Sequence, residues 1–403
     1  MLTYQEARRA VVEEVARAKG PRVTANVSVW DALGFVLAEE VRTDREYPPF
    51  HRSTRDGYAV RAAELSARAT LRCVAEIKAG DSVTQPLARD TCAQIMTGAA
   101  VPDGADAVVM IEHTNRDGDS VRFERVALPG QNIVPRGSEV KLGETILSAG
   151  ARLGYAELAL AAQVGATQLR CASKPRVAIL STGDEVIAID QQPGAFQIRN
   201  SNSVSLAAQV RLAGGEPVLL GNAADRVDAL REKISRGLQQ DVLVLSGGVS
   251  MGKYDLVETV LKDLGAQFYF DAVAIRPGRP AVFGKCGDTF VFGLPGNPVS
   301  TMVTFELFVV PAIDLLNGTR ARDLALVEAR LGAPLNEKQG LAHFLPARVE
   351  WRGTTPEVKA LPWQGSGDVA ALAHANCYLV VAADRGQVSA GETVPVLLRK
   401  DVI

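Results

Sequence analysis

The chain is poor in the features that mark several large classes of protein. Acidic and basic side chains almost cancel, at a net charge of −2 over 403 residues, so nothing suggests a phosphate-backbone surface and no nucleic-acid partner is expected. The four histidines, His51, His113, His343 and His374, are scattered, which argues against a histidine metal centre. The five cysteines, Cys73, Cys92, Cys171, Cys286 and Cys377, are isolated and odd in number. That excludes a zinc knuckle or a redox pair at Cys-x-x-Cys spacing and fits a reducing, cytoplasmic setting. Each cysteine reads as a small buried residue. No stretch approaches the ~20 apolar residues of a membrane span, and MLTYQEARRAVVEEV lacks a signal-peptide core, so no membrane role is expected. Apolar content of 47% describes an ordinary soluble protein whose length calls for several domains rather than one core.

What is present is a set of short, β-branched apolar runs, each passing into small and acidic residues: VAIL-STGDE (177–185), VLVL-SGGVSMGKYD (242–255) and VFGL-PGNPVS (291–300). Such runs read as buried parallel strands, whose carboxyl ends are where a ligand sits in an open α/β sheet. Glycine lets backbone N–H groups converge on an oxyanion, and Asp184, Glu185 and Asp255 on the same edge could hold a divalent cation beside it.

Along the chain, Thr3 and Glu6 have the spacing of a capping box, predicting a helix over 3–18. A second short helix is expected over 31–41 and an irregular stretch over 47–60, followed by a small all-β region over 69–137 and a helix in YAELALAAQVG. Residues 174–318 alternate strand and helix as a doubly wound domain does, and AVFGKC-GD-TFVFGL is a hairpin with a Gly-Asp turn. Asn297-Pro298 has the form of an N-cap and first helical residue. The fold expected is multidomain α/β. A linking domain comprises 1–22 and 138–173, and a small β-rich domain 23–137. A central α/β ligand-binding domain spans 174–319, and a C-terminal β domain 320–403.

The ordered runs PPFHRSTRDGYAV, IMTGAAVPDGADAVVMIEHT, LPGQNIVPRGSEVKLGE, STGDEV, SGGVSMGKYD, AIRPGRPAVFG, LPGNPVS and QGSGDVAALAHAN resemble the molybdopterin molybdenumtransferases, the bacterial MoeA proteins and the E domain of gephyrin. The likeness extends over essentially the whole chain. It implies insertion of molybdate into adenylylated molybdopterin with release of AMP, a Mg²⁺ requirement, and a homodimer whose active site is completed across protomers. Transient contacts with a molybdopterin adenylyltransferase and with molybdoenzyme-maturation proteins are implied too.

The resemblance and the local chemistry together nominate residues. Gly247, Gly248 and Ser250 would take a phosphate on their N–H groups, and Asp255 would act with Mg²⁺, unless it simply caps the next helix. Glu185 and Asp184 bind ligand or cap a helix; Asp225, the third candidate Mg²⁺ ligand beside Asp255 and Glu185, opens a helix and is as well explained as an N-cap. Arg276 and Arg279 in RPGRP stand where the family often has lysines, and their planar guanidinium groups suit molybdate or phosphate oxygens. Pro295, Gly296, Asn297, Pro298 and Ser300 form a turn into a helix N-terminus, either an anion site or a structural turn. Asp56, Thr97, Gly98 and Ser366 are nominated by resemblance alone.

The chain departs from the family pattern at Phe50-His51-Arg52-Ser53-Thr54-Arg55, at Glu139 and at Pro346. Arg348, two residues beyond Pro346 on an extended strand, is the expected replacement for a missing arginine. No serine–histidine or cysteine–histidine pair stands out, so positioning and electrostatics are expected to carry the chemistry. Two rivals differ in class. An adenylyltransferase shares the central fold but is usually that domain alone, and a non-enzymatic scaffold goes with a long linker that this sequence lacks.

Overall fold

A computed structural model describes every residue except Lys19, Pro21, Arg22, Ala67, 249–255 and Ile403. The chain forms two compact units, Met1–Asn26 with Gly34–Ala38 and Arg170–Ile403, and Val27–Leu33 with Glu39–Leu169. Each is described by itself.

The first unit is built on a six-stranded sheet. Strands Glu216–Ala223, Arg176–Thr182, Val242–Ser246 and Thr289–Leu294 run parallel, and Val282–Cys286 and Gln267–Phe270 add antiparallel to one edge. The central strands are apolar along both faces because both faces are covered. Val177, Ile179, Val244 and Phe292 pack on one side, and Ala178, Leu180, Leu245 and Val291 on the other. The expected hairpin is present, with Gly287 at a φ of +58° in its turn. Gly284 on that hairpin has no alternative, since a Cβ there would lie 2.5 Å from the carbonyl oxygen of Gln267.

The N-terminal helix is Tyr4–Arg17, with the Thr3–Glu6 capping box formed in both directions. Its buried face, Ala7, Val11 and Val15, joins the same core as the helical run that begins at Pro298. That run continues through a π-turn at Phe305–Val309 to Asn317. Pro298–Asn317 is long and apolar enough to span a membrane by length and composition alone, yet 83% of its most apolar window is buried inside the protein, as in a core helix. Its apolar surface is met by sheet, N-terminal helix and C-terminal domain rather than by lipid. The C-terminal strands Ala342–Arg352, Thr355–Ala360, Leu326–Leu331, Thr393–Leu398 and Cys377–Val381 close into a ring, because the last also pairs with the first. Ile275–Arg276 adds to this ring at Ala342–His343.

The second unit is centred on a six-stranded sheet of Ala107–Met110, Gly57–Val60, Thr91–Ile95, Thr70–Ile77, Ser120–Phe123 and Thr114–Asp117, as the strand-rich reading of this region anticipated. Two details differ from the sequence expectation. Residues 31–41 form turns and bridges, not a helix, and Gly34 in their midst holds a φ of +78° that no right-handed helix admits. The 47–60 stretch contains the strand Gly57–Val60, in which a Cβ on Gly57 would fall 1.9 Å from the Val109 oxygen. The cysteines are all free thiols, and burial pushes Cys92 and Cys377 up to about 12, as expected of inert core residues.

One ion pair fastens the end of the long helical run. Asp314 is 1% exposed and accepts from Arg322 Nε at 2.8 Å and from the Arg322 N–H at 3.0 Å. Arg8 donates to the Leu307 carbonyl at 2.8 Å, so the N-terminal helix is tied to the same run. Asp314→Ala leaves the guanidinium in a desolvated position without its anion and should destabilise the protein by about 3 kcal/mol. Urea denaturation checks this, and an unchanged midpoint would exclude the pair as a fastening.

Candidate active site

The cleft forms where the parallel strands end. Strand Arg176–Thr182 runs into Gly183, whose φ of +126° turns the chain sharply. Glu185 folds back over that turn, and a Cβ on Gly183 would lie 2.5 Å from its carboxylate. Asn222 Nδ2 secures the turn by donating to the carbonyls of Gly183 at 2.9 Å and Val186 at 3.0 Å. Next to it, the Asp225 N–H donates to Asp184 Oδ1 at 3.1 Å. Burial first, then the charge of Asp184 and then that of Glu185, holds the Asp225 carboxyl above its ordinary value. The helix beyond starts at Val227 with Arg226 in the cap position, so Asp225 is not the N-cap that the sequence allowed.

Gly247 and Gly248, after strand Val242–Ser246, have φ values of +92° and +61°. A Cβ on Gly248 would come within 2.5 Å of Thr182 Oγ1, and one on Gly247 within 2.8 Å of the Thr182 carbonyl oxygen. The opposite wall is Pro295 to Pro298. Asn297 takes the cap position by its backbone, but its side chain does not cap: Nδ2 donates to Ser366 Oγ at 2.8 Å. The Ser366 carbonyl in turn accepts from the Val299 N–H at 2.9 Å. Between these walls Asn202 Nδ2 donates to Ser246 Oγ at 2.8 Å and to the Gly296 carbonyl at 2.7 Å.

The space enclosed is a cleft of about 450 Å³. Its lining includes Glu185 and Asp225, Gly247 and Gly248, and Pro295, Gly296, Asn297 and Pro298, with Gly296 packed close to Gly247. Asp184 touches this group through Asp225 without lining the cleft. Arg276 and Arg279 are exposed on the loop whose Pro280 reaches the lining. Ser300 is buried one turn inside the helix, where its carbonyl accepts from Thr304 Oγ1 at 2.8 Å, and is not part of the wall. Arg348 lies on the C-terminal ring, exposed and paired with Glu350 at 3.2 Å, and does not line the cleft. Ser366 reaches the Pro295–Pro298 wall from within the same chain. Ser250 and Asp255 lie outside the described residues.

Asp56, Thr97 and Gly98 belong to the second unit, where the first two meet. Asp56 Oδ1 accepts from the Thr97 N–H at 2.7 Å and from Thr97 Oγ1 at 2.9 Å, which holds its carboxyl below the usual range. Gly98, at a φ of +86°, donates its N–H to the Ser53 carbonyl at 2.8 Å. Among the described residues no group of three His, Cys, Asp or Glu is set to hold a metal ion.

The sequence reading missed Thr182, Asn202 and Arg199, all on the cleft lining. Arg199 is its cationic side chain, with Nε donating to the Gln191 carbonyl at 3.1 Å. A signal for Asn202 was available. Asn200 already caps helix Ser201–Ala213 by accepting from the Ser203 N–H at 3.0 Å, so a second asparagine in the first turn exceeds what capping requires.

Comparison with known proteins agrees in order and extent. Residues 2–165 match the MoeA N-terminal region (domain I and II), 178–315 a probable molybdopterin binding domain, and 328–398 the MoeA C-terminal region (domain IV). The chain is 34% identical to the molybdopterin molybdenumtransferase of Haemophilus influenzae, over 98% of each chain. It is likewise 34% identical to that of Bacillus subtilis, over 93% of this chain and 90% of the other. The crystal structure of a molybdopterin biosynthesis MoeA protein from Pyrococcus horikoshii OT3 superposes with a TM-score of 0.83 at 29% identity, covering 99% of this chain and 100% of that one.

The burial of Asp225, added to by the charges of Asp184 and Glu185, has a measurable sign. A carboxyl held above its ordinary value favours the fold while protonated; the penalty appears as pH rises through the ordinary aspartate range and is complete above the raised value. Asp225→Asn should therefore raise the stability of the ligand-free protein at neutral pH. Solvent screening limits the gain to at most about 1 kcal/mol. The difference from wild type should vanish at pH 3 in thermal unfolding. A lower melting temperature at neutral pH would contradict the raised carboxyl.

Proposed function

The chain belongs to the molybdopterin molybdenumtransferase family, transferases of molybdenum cofactor biosynthesis, and from that premise we propose that its cleft takes adenylylated molybdopterin and molybdate and yields molybdenum cofactor and AMP. The observation that supports this reading most is the meeting, at one sheet edge, of a glycine turn, the Pro295–Pro298 wall and the carboxylates of Glu185 and Asp225. A phosphoanhydride needs groups that take oxyanions and others that manage the charge of a cation, and here both kinds line one cleft.

Mg²⁺ is part of the proposal. Glu185 and Asp225, both on the lining, offer hard oxygen donors such an ion prefers, and a cation would offset the burial and the neighbouring negative charge that disfavour an ionised Asp225. When bound, it would supply charge neutralisation on the phosphates. The protein's own contribution is positional. Gly247 and Gly248 let the backbone approach the phosphate closely, while Arg199, Arg276 and Arg279 offer guanidinium groups for phosphate or molybdate oxygens. No histidine, cysteine or lysine lines the cleft among the described residues, so the attacking group comes from substrate or water and the rate from preorganised charge. Assembly as a homodimer belongs to the proposal too, but Ser366 gives it no support, since that residue is satisfied within its own chain.

The discriminating measurement follows AMP and pyrophosphate with and without molybdate. Adenylylated molybdopterin with Mg²⁺ should stay intact on the protein until molybdate is added, and then yield AMP. Pyrophosphate formed from ATP and free molybdopterin, with no molybdate present, would make the protein an adenylyltransferase instead. Glu185→Gln should lower the rate of molybdate-dependent AMP release at least about a hundredfold with the fold intact, the scale on which loss of one charge-stabilising group shows. An unchanged rate would remove Glu185 from the machinery.

A further inference from the structure

Thr182 is 3% exposed, lines the cleft, and its Oγ1 has no hydrogen-bond partner among the described residues. A buried hydroxyl without a partner is costly, and at this strand end valine would fill the same volume with better strand propensity and no such cost. The hydroxyl abuts the glycine turn: a Cβ on Gly248 would reach 2.5 Å from it and one on Gly247 3.3 Å. Any side chain at Gly248 would collide with it, so the hydroxyl stands directly behind the backbone of the glycine turn.

A second orphan belongs to another residue of the lining. Asn202 Oδ1 is buried without a partner among the described residues, and the orientation of the amide is fixed because the Gly296 carbonyl can only accept, which assigns the donating end to Nδ2. The cleft thus presents a hydroxyl that can donate, on strand Arg176–Thr182, and an oxygen that can only accept, on helix Ser201–Ala213.

We propose that Thr182 positions the ligand by donating its hydroxyl hydrogen to a phosphate oxygen seated on the Gly247–Gly248 turn, while Asn202 Oδ1 accepts from an N–H or O–H on the same ligand. The pair selects a phosphate ester that also carries a hydrogen-bond donor and disfavours a second oxyanion at the Asn202 corner. This rests on the reading that the cleft takes a phosphorylated pterin. It extends that reading to two side-chain oxygens that have no partner among the described residues of the ligand-free fold.

The test uses the full chain and inorganic pyrophosphate as probe, with Thr182→Val and Thr182→Ser. Because the hydroxyl is unpartnered, Thr182→Val should leave the melting temperature of the ligand-free protein unchanged or raised. It should weaken pyrophosphate binding in calorimetry about tenfold or more, the usual scale for a hydrogen bond to a charged group. Thr182→Ser, which restores the hydroxyl, should return the affinity to within about twofold of wild type. Equal affinity in wild type and Thr182→Val, a valine variant that loses melting temperature, or a wild type that does not bind pyrophosphate each overturns the proposal. If instead pyrophosphate binding depends on Thr182 but molybdate and adenylylated molybdopterin give no AMP, the phosphate contact stands and the functional reading falls.

Discussion

The amide of Asn202 is the contact on which the cleft's geometry depends. From the first turn of one helix it reaches the end of strand Val242–Ser246 through Ser246 Oγ and the turn after strand Thr289–Leu294 through the Gly296 carbonyl. Those two strands are already neighbours in the sheet, so the amide fixes how their loops diverge beyond it. Asn297 extends the same logic outward to Ser366 in the C-terminal domain. The wall of the cleft is thereby held by polar contacts from three parts of the chain. Loops held in this way keep their shape before a ligand arrives, which is what electrostatic preorganisation requires.

Electrostatics in the cleft are arranged as an imbalance. Glu185 and Asp225 share a small volume with Asp184 close behind, while Arg199 is the cationic side chain on the lining. Elsewhere in this unit charge is compensated: Asp314 and Arg322 satisfy each other, and Arg399 donates to the carbonyls of Leu372 and Ala375 at 2.6 Å and 2.8 Å. A local surplus of carboxylate beside a buried, raised carboxyl is the pattern of a site that gives up stability for binding.

Much of this was legible in the sequence, and the reasons differ from element to element. The parallel strands announced themselves because burial on both faces leaves an unbroken apolar run, as in VLVL and TFVFGL. The Thr3–Glu6 box and the Gly-Asp hairpin turn were readable because local chemistry decides them. The false helix at 31–41 failed on Gly34, whose left-handed backbone is a tertiary demand that composition does not reveal. Ser300 and Arg348 were nominated by their neighbours in sequence, but helix phase buries the first and strand position carries the second onto the C-terminal ring. Thr182 and Asn202 could not be chosen from sequence, because what distinguishes them is the absence of a partner, and that is a property of the packed structure.

The helical run from Pro298 to Asn317 carries a consequence for the way the chain is made. Its apolar surface is covered by Ala7, Val11 and Val15 from one end of the sequence and by Phe344 and Tyr378 from the other. During synthesis it leaves the ribosome before Phe344 and Tyr378 exist to cover it, and for that interval part of its apolar surface lacks its partners. Trimming either terminus would uncover part of that run. The flanking segments act as its built-in shield.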